Sequence, residues 1–346
     1  LNVTPEEILF TRSTTDGLHL IARSLLNPGD EILVGGLDHP ANYTTWMHLA
    51  NRGIKVTLVP HRGEGMSPED IASAISPKTR AVGMCLVNTY NGYREDLKSL
   101  SEICSEHGLF LMLDGIKALG QLNVDLQAAN VTVISAGVYK FLCSPEGLGI
   151  AYVNKQVLNE IRPGTPHLYH VTPKSDTSQK GFGWGKFSGW GNYTDQFHKW
   201  GDEGAGPHTL KPNSIEYPPN TKRLETSMNH LALVGLEAMV DLLINVGGME
   251  SVEHKVLELS AYLRESVQEH GHTVLSSQAR ENWSGTTLIE VPDADKFVSY
   301  CEDRGVYVRP GSSLLGDKPG IRVSPHVFNN NDDIDKLTEA LDSFKA

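Results

Sequence analysis

The chain has 346 residues, a formal charge of −12 and a pI near 5.6, with 39% hydrophobic and 21% charged residues. This acidity argues against a nucleic-acid surface, which needs basic patches, and the proportions are those of a globular rather than a disordered chain. No uninterrupted apolar run approaches the ~20 residues of a membrane-spanning helix, and the length suits two domains.

Asn2–Phe10 reads as a turn and a short strand running into Thr11-Arg12-Ser13-Thr14-Thr15-Asp16-Gly17, then an apolar helix over Leu18–Leu26. Hydroxyls and unpaired amides at a helix start favour an anion, although on the residues alone ordinary N-capping by Ser13 or Thr14 is the plainer reading. Gly29-Asp30 turns the chain into a strand, Glu31–Val34, followed by Leu37-Asp38-His39-Pro40-Ala41-Asn42. A helix is predicted over Ala41–Asn51 and a strand over Lys55–Val59. Ser67-Pro68-Glu69-Asp70 has the cap, proline and acid of a helix start. The strand Arg80–Val87 delivers Asn88, a residue type also at home in turns. Leu97, Leu100, Ile103 and Cys104 then share one helical face. Strand and helix alternate, which predicts a parallel sheet with crossover helices. No strand-GxGxxG-helix signature appears.

Two apolar runs follow, Leu109–Leu113 and Val131–Ile134, with the length and bulk of buried parallel strands. The first ends on Asp114, and the second leads through Ser135-Ala136-Gly137 to Tyr139-Lys140. A carboxylate at one strand's carboxyl end and an amine shortly after another's is where an open α/β sheet places ligand-binding groups. The pair fits pyridoxal phosphate (PLP), which needs a lysine for its Schiff base and an acid to keep its ring nitrogen protonated.

Residues 164–220 break the rhythm with Gly, Pro, His and aromatics, including Trp184, Trp190 and Tyr193. A substrate-shaping lid and an ordered surface excursion or dimer arm both fit. The histidines there lack metal-ligand spacing, and no metal site is expected. Asn229–Asn245 is apolar almost all round and is expected to be buried. The next helix carries Val252, Val256, Leu259 and Leu263 on one face. Strands over Thr286–Val291, Val306–Arg309 and Ile321–Ser324 precede a last helix with Ile334, Leu337, Leu341 and Phe344. The expected division is a large domain over 1–245, with the loop-rich insertion, and a small α+β domain over 246–346. Cys85, Cys104, Cys143 and Cys301 lack CxxC spacing, which fits a reducing compartment and an expected cytoplasmic location.

The ordered set Asp114-Gly115-Ile116-Lys117, Gly120, Val124-Asp125, Gly137-Val138-Tyr139-Lys140, Pro145-Glu146-Gly147, Gly149 and Tyr152-Val153 resembles the class V aminotransferase family of fold-type I PLP enzymes. That group includes cysteine desulfurases, C–S lyases, isopenicillin N epimerase-like proteins and kynureninases. The resemblance implies a mostly parallel central sheet with helices on both faces, a smaller C-terminal α+β domain, and PLP joined to Lys140 with Asp114 on the ring nitrogen. Thr14 and Thr15 match the region that holds the cofactor phosphate, and His39-Pro40-Ala41-Asn42 matches a motif whose first histidine lies over the ring. Asn88 matches an asparagine near the ring hydroxyl. Arg223–Asn229 resembles a motif whose hydroxyl residue, here Ser227, reaches the phosphate of the partner subunit's cofactor, which implies a homodimer. Gly320–Asn329 resembles the segment whose arginine, here Arg322, binds the substrate α-carboxylate through a bidentate fork. The family also implies a helical segment ahead of Leu1.

Besides Pro40 in place of a second histidine and Gly137 where desulfurases often have a serine, three positions depart from the family pattern. Lys117 stands where a neutral Gln or His donates to the cofactor phenolate, and like charge there disfavours protonation of nearby amines. Tyr139 replaces the usual histidine before the lysine, and its phenol can still donate to phosphate. The loop Arg309–Leu315 has no cysteine near Leu314, where desulfurases of this group carry the thiolate that accepts sulfur. By the frequency of activities in the family it resembles, the expected activity is β-elimination of a C–S bond in a small amino acid, by a C–S lyase or a desulfurase-like lyase without the usual persulfide cysteine. Amino transfer or epimerisation follows, then kynureninase-like C–C cleavage or decarboxylative C–C bond formation, and finally a non-catalytic role.

Overall fold

The computed structural model describes residues 1–36, 38–61, 64–162, 172–173, 215–217, 219–225, 228–313 and 316–345. Ser227, Leu314 and most of 164–220, with Trp184, Trp190 and Tyr193, lie outside the described residues. The strands β1 (Ile8–Thr11), β2 (Glu31–Gly35), β3 (Lys55–Val59), β4 (Thr79–Cys85), β5 (Phe110–Asp114), β6 (Val133–Gly137) and β7 (Gly149–Val153) form one sheet in the order β1-β7-β6-β5-β4-β2-β3. From β3 through β6 every pairing is parallel, whereas β7 runs antiparallel to β6 and β1 antiparallel to β7.

Strands β2, β5 and β6 are buried along their whole length, as continuous apolar runs are when helices cover both faces of a parallel sheet. Their side chains alternate between the faces. On one side Ile32, Val34, Phe110 and Met112 pack with Leu18, Ile21 and Leu25 of α1 (Thr14–Leu25) and Trp46 and Leu49 of α2 (Pro40–Leu49). On the other side, Leu33, Val82, Leu111 and Leu113 meet Ile71 of α3 (Pro68–Ala74), Leu100 and Cys104 of α4 (Leu97–Glu106), and the helix His230–Asn245. Strand β6 begins at Val133 rather than Val131, because the Val131 amide first closes a turn onto the Leu126 carbonyl at 3.2 Å.

The helix His230–Asn245 corrects an expectation. It buries Ala232, Leu236, Met239 and Leu243, but Leu231 is 84% exposed and Val234 and Ile244 are each 63% exposed. A helix meets a sheet along one stripe only, so apolar residues elsewhere on its circumference stay outside this chain's core.

Beyond a two-strand ribbon of β8 (Thr172–Pro173) and β9 (Ile215–Glu216) lies a second sheet. Its strands β10 (Thr287–Glu290), β11 (Arg309–Ser312) and β12 (Pro319–Val323) are antiparallel in the order β10-β12-β11. They share a separate core, including Leu259, Leu263, Phe297, Ile321, Ile334 and Leu337, with the helices Gly248–Glu269, Ala294–Glu302 and Asn331–Ser343. The strand expected over Val306–Arg309 starts at Arg309. After the preceding helix, capped at Asp303, Gly305 at φ 71° turns the chain, and the Val306 amide turns back to the Cys301 carbonyl at 3.0 Å.

Candidate active site

Parallel strands end on one edge, and the segments leaving that edge converge. After β2 come Asp38 and His39, after β4 Asn88 and Thr89, after β5 Lys117, and after β6 Tyr139 and Lys140. Arg322 reaches across from β12, the middle strand of the small sheet. One guanidinium nitrogen donates to the Thr89 carbonyl at 2.9 Å and to its Oγ1 at 3.3 Å, and Nε donates to the Pro310 carbonyl at 3.3 Å. Between the two sheets lies a cavity of about 470 Å³ whose lining includes His39, Thr89, Lys117, Lys140, Cys143 and Arg322.

Asp114 is buried at the end of β5. One carboxylate oxygen accepts the Ile116 amide at 2.9 Å, and the other is met by the Cys85 thiol at 3.9 Å. Burial pushes its pKa up to about 6 against the pull of the Ile116 amide, Lys140 and Lys117. A second buried acid stands beside it: Asp38 Oδ2 accepts the Cys85 amide and Asn42 Nδ2, both at 2.9 Å. Burial raises Asp38 to about 7, and the Asp114 charge adds to the rise. Burial and these two carboxylates push the Cys85 thiol well up. Asp38 and Cys85 escaped the sequence reading, although an acid immediately before His39 was a visible signal.

Cations gather on the cavity side. Lys117 is buried, with Nζ 3.4 Å from the Thr89 carbonyl. Burial, then Arg322 and Lys140, lower its pKa to about 7. Burial lowers Lys140 too, opposed by Asp114. His39 is lowered by burial and by Lys140, Lys117 and Arg322.

This donor set fits PLP. Asp114 is a buried carboxylate with one oxygen held by an amide and the other met, among the described residues, by a thiol alone, which suits a cationic ring nitrogen. Lys140 lines the adjoining cavity. Thr14, the first residue of α1, accepts the Gly137 amide at 2.8 Å and so ties the helix start to the end of β6. Its hydroxyl proton is left to donate, beside the unpaired amides of a helix N-terminus.

Of the residues singled out from the sequence, His39, Lys117, Lys140 and Arg322 line one cavity, with Asp114 within electrostatic reach of both lysines. Thr15 and Tyr139 are exposed and, like the fully buried Asn88, are not part of the lining. Asn88 Oδ1 accepts the Tyr90 amide at 2.8 Å. Thr89 and Cys143 were missed. Cys143 lies three residues beyond Lys140 with a left-handed backbone, φ 43°. His326 was missed as a wall residue, and its Nε2 lies 2.8 Å from the Phe141 carbonyl.

The profile of the class-V aminotransferase family matches residues 1–184 and 182–337. An uncharacterised aminotransferase of Schizosaccharomyces pombe is 26% identical over 345 residues, 97% of this chain and 76% of that protein. A cysteine desulfurase of Haloferax volcanii is 24% identical over 356 residues, 98% of this chain and 74% of that one. Among solved structures, a cystine C–S lyase in complex with its reaction product cysteine persulfide superposes with a TM-score of 0.81 at 21% identity, over 100% of this chain and 84% of that one. An apo cysteine desulfurase from Thermococcus onnurineus NA1 gives 0.78 at 17% identity, over 97% and 78%. The structural likenesses show the fold. The profile match spans nearly the whole chain and settles the family: this protein belongs to the class-V aminotransferases and is a PLP-dependent enzyme.

Proposed function

We propose that this enzyme breaks the C–S bond of a small amino acid by β-elimination. The reading is carried by the convergence of Lys140, Lys117, His39 and Arg322 on one cavity next to the buried Asp114 carboxylate. PLP bound there would supply an electron sink for the electrons released when a bond at the substrate Cα breaks. Lys140 would hold the cofactor and move the proton at the substrate Cα; burial holds its pKa below that of a surface lysine, which favours the basic amine. Asp114 would hold the proton on the ring nitrogen. Arg322, braced by Thr89 and Pro310, binds the α-carboxylate through its fork. His39 walls the cavity as a neutral imidazole able to accept a proton, because burial and three neighbouring cations disfavour its charged form. Thr14, Thr15, Tyr139 and Ser227 would hold the cofactor phosphate, with Ser227 contributed by a second copy of the chain, and Lys117 together with Asn88, the residue before Thr89, would hold the ring hydroxyl. Residues 1–245 form the cofactor domain and 246–346 the small domain.

The choice of a C–S bond draws support from relatives named cysteine desulfurase and from the structural neighbour named cystine C–S lyase. Expulsion of a thiolate needs no protein nucleophile. Cys143 lines the cavity, but burial raises its thiol pKa, which makes it a weak sulfur acceptor. Incubation with an amino-acid panel, assayed for pyruvate, ammonia, sulfide, alanine and CO2, is expected to give pyruvate, ammonia and a thiol or sulfide. Amino transfer to a keto acid without sulfide would overturn the lyase reading. Lys140→Ala is expected to abolish turnover and the borohydride-sensitive visible band, and full activity in that variant would refute the role of Lys140.

A further inference from the structure

We propose that Cys85 and Asp38 are positioning residues for Asp114: the Cys85 thiol is one donor shared by two buried carboxylates, and it passes from Asp114 to Asp38 when the cofactor binds. The inference rests on reading Asp114 as the partner of the cofactor ring. The three side chains sit abreast at the carboxyl edge of neighbouring strands. Asp114 ends β5, Cys85 ends β4 as its register partner, and Asp38 follows β2 on the far side of β4. Cys85 Sγ lies 3.9 Å from Asp114 Oδ2, and the backbone amide of the same residue donates to Asp38 Oδ2 at 2.9 Å. The Asp38 carboxylate is also within hydrogen-bonding reach of the thiol. Asn42 Nδ2 donates to Asp38 Oδ2 at 2.9 Å and approaches the sulfur at 3.6 Å. The sulfur thus has a donor of its own, and its single hydrogen is left for one carboxylate at a time.

Charge decides which one. Burial and the two acids keep the thiol protonated, so it stays a donor. Lys140 and Lys117 act on Asp114, whereas the charged neighbours of Asp38 are acids, Asp114 and the buried Glu95. In the cofactor-free protein at pH 8 both carboxylates are anionic, since burial lifts Asp114 to about 6 and Asp38 to about 7, and the thiol meets Asp114. A cationic ring nitrogen offsets the charge of Asp114, which leaves Asp38 the stronger acceptor. Turning the S–H to Asp38 then frees Asp114 Oδ2 and adds a donor to a buried carboxylate otherwise met by neutral amides. Neither Cys85 nor Asp38 lines the cavity, so both act through Asp114 and not on the substrate.

The S–H stretch falls in an infrared window clear of other protein bands, and subtracting the spectrum of Cys85→Ser isolates this thiol from the other three. At pH 8 its band is expected to shift when the cofactor-free protein is loaded with PLP, and a band that does not move overturns the inference. Asp38→Asn keeps the shape and an acceptor for the Cys85 amide but not the charge. In that variant the shift should vanish, and PLP should bind about three- to tenfold more weakly, the range of one net hydrogen bond. In the Cys85→Ala background the same substitution should change the affinity by less than about twofold, because the thiol through which Asp38 acts is gone. An equal loss in both backgrounds would mean that Asp38 only supports the Cys85 backbone, and would overturn the shared-donor role. The wild-type spectrum needs no variant, so it decides the matter even where Asp38→Asn folds poorly. Absence of the Lys140-dependent visible band on loading would overturn the cofactor reading and this inference with it. That band with an unmoved S–H stretch would sink only the role of Cys85 and Asp38.

Discussion

Replacing Asp114 by Asn should stabilise the cofactor-free protein and disable the loaded enzyme. In the folded chain, burial raises this carboxyl from 3.8 to about 6, so the fold penalises its ionised form. The penalty is fully present above about pH 6 and is lost as pH falls towards 3.8. The gap corresponds to about 3 kcal/mol at most, and relaxation around the site brings the expected gain to about 1–3 kcal/mol at pH 8. Asparagine has the same shape, keeps an acceptor for the Ile116 amide and turns its NH2 towards the Cys85 sulfur. Thermal denaturation of the cofactor-free proteins should therefore show the variant melting higher at pH 8, with the difference shrinking by pH 5. With cofactor bound, the same substitution removes the charged partner of a buried cation, a loss of about 3–5 kcal/mol. That corresponds to turnover lower by roughly 10²–10⁴-fold. A purely structural carboxylate gives the opposite pattern. Lower stability at pH 8, or undiminished turnover, would refute the reasoning.

Two further substitutions probe the frame around the site. Gly92 has φ 71°, and a Cβ built on it stands 2.0 Å from the Thr286 carbonyl oxygen, so Gly92→Ala should cost about 2–4 kcal/mol and lower the melting temperature. An unchanged melting temperature would mean that the close approach between the loop after β4 and the strand β10 is wrong. Glu31, buried at the start of β2, accepts from Lys55 at 2.5 Å, Thr57 at 2.7 Å, Thr79 at 2.8 Å and Ser76. Burial raises its pKa, but these partners hold it down to about 2. Its contribution is thus present above 4.5 and lost as pH falls towards 2. Glu31→Gln should destabilise the protein by about 1–3 kcal/mol at pH 7, and the difference should close below pH 4.5. A pH-independent difference would show that shape, not charge, matters at this position.

Much of this architecture was legible because burial of a parallel strand leaves a local imprint. The runs Leu109–Leu113 and Val131–Ile134 had the length and bulk of interior strands, and the polar groups that follow them, Asp114 and Lys140, fell where an open α/β sheet places ligand-binding groups. Apolar composition misled over 230–245, because composition does not say which stripe of a helix meets the sheet. The strand at Val306–Arg309 slipped for a similar reason: a glycine turn after the helix used the valine before the strand began.

Which side chains meet was decided across long separations. Arg322 reaches Thr89 over 233 positions, and Asp38 reaches the Cys85 amide over 47. The cross-strand register alone sets Arg309 opposite Arg322. Local pattern reports whether a residue is wet or dry. The order and register of strands, which arise only when the whole sheet closes, decide which charges share a cavity and how far each is pushed from its ordinary pKa.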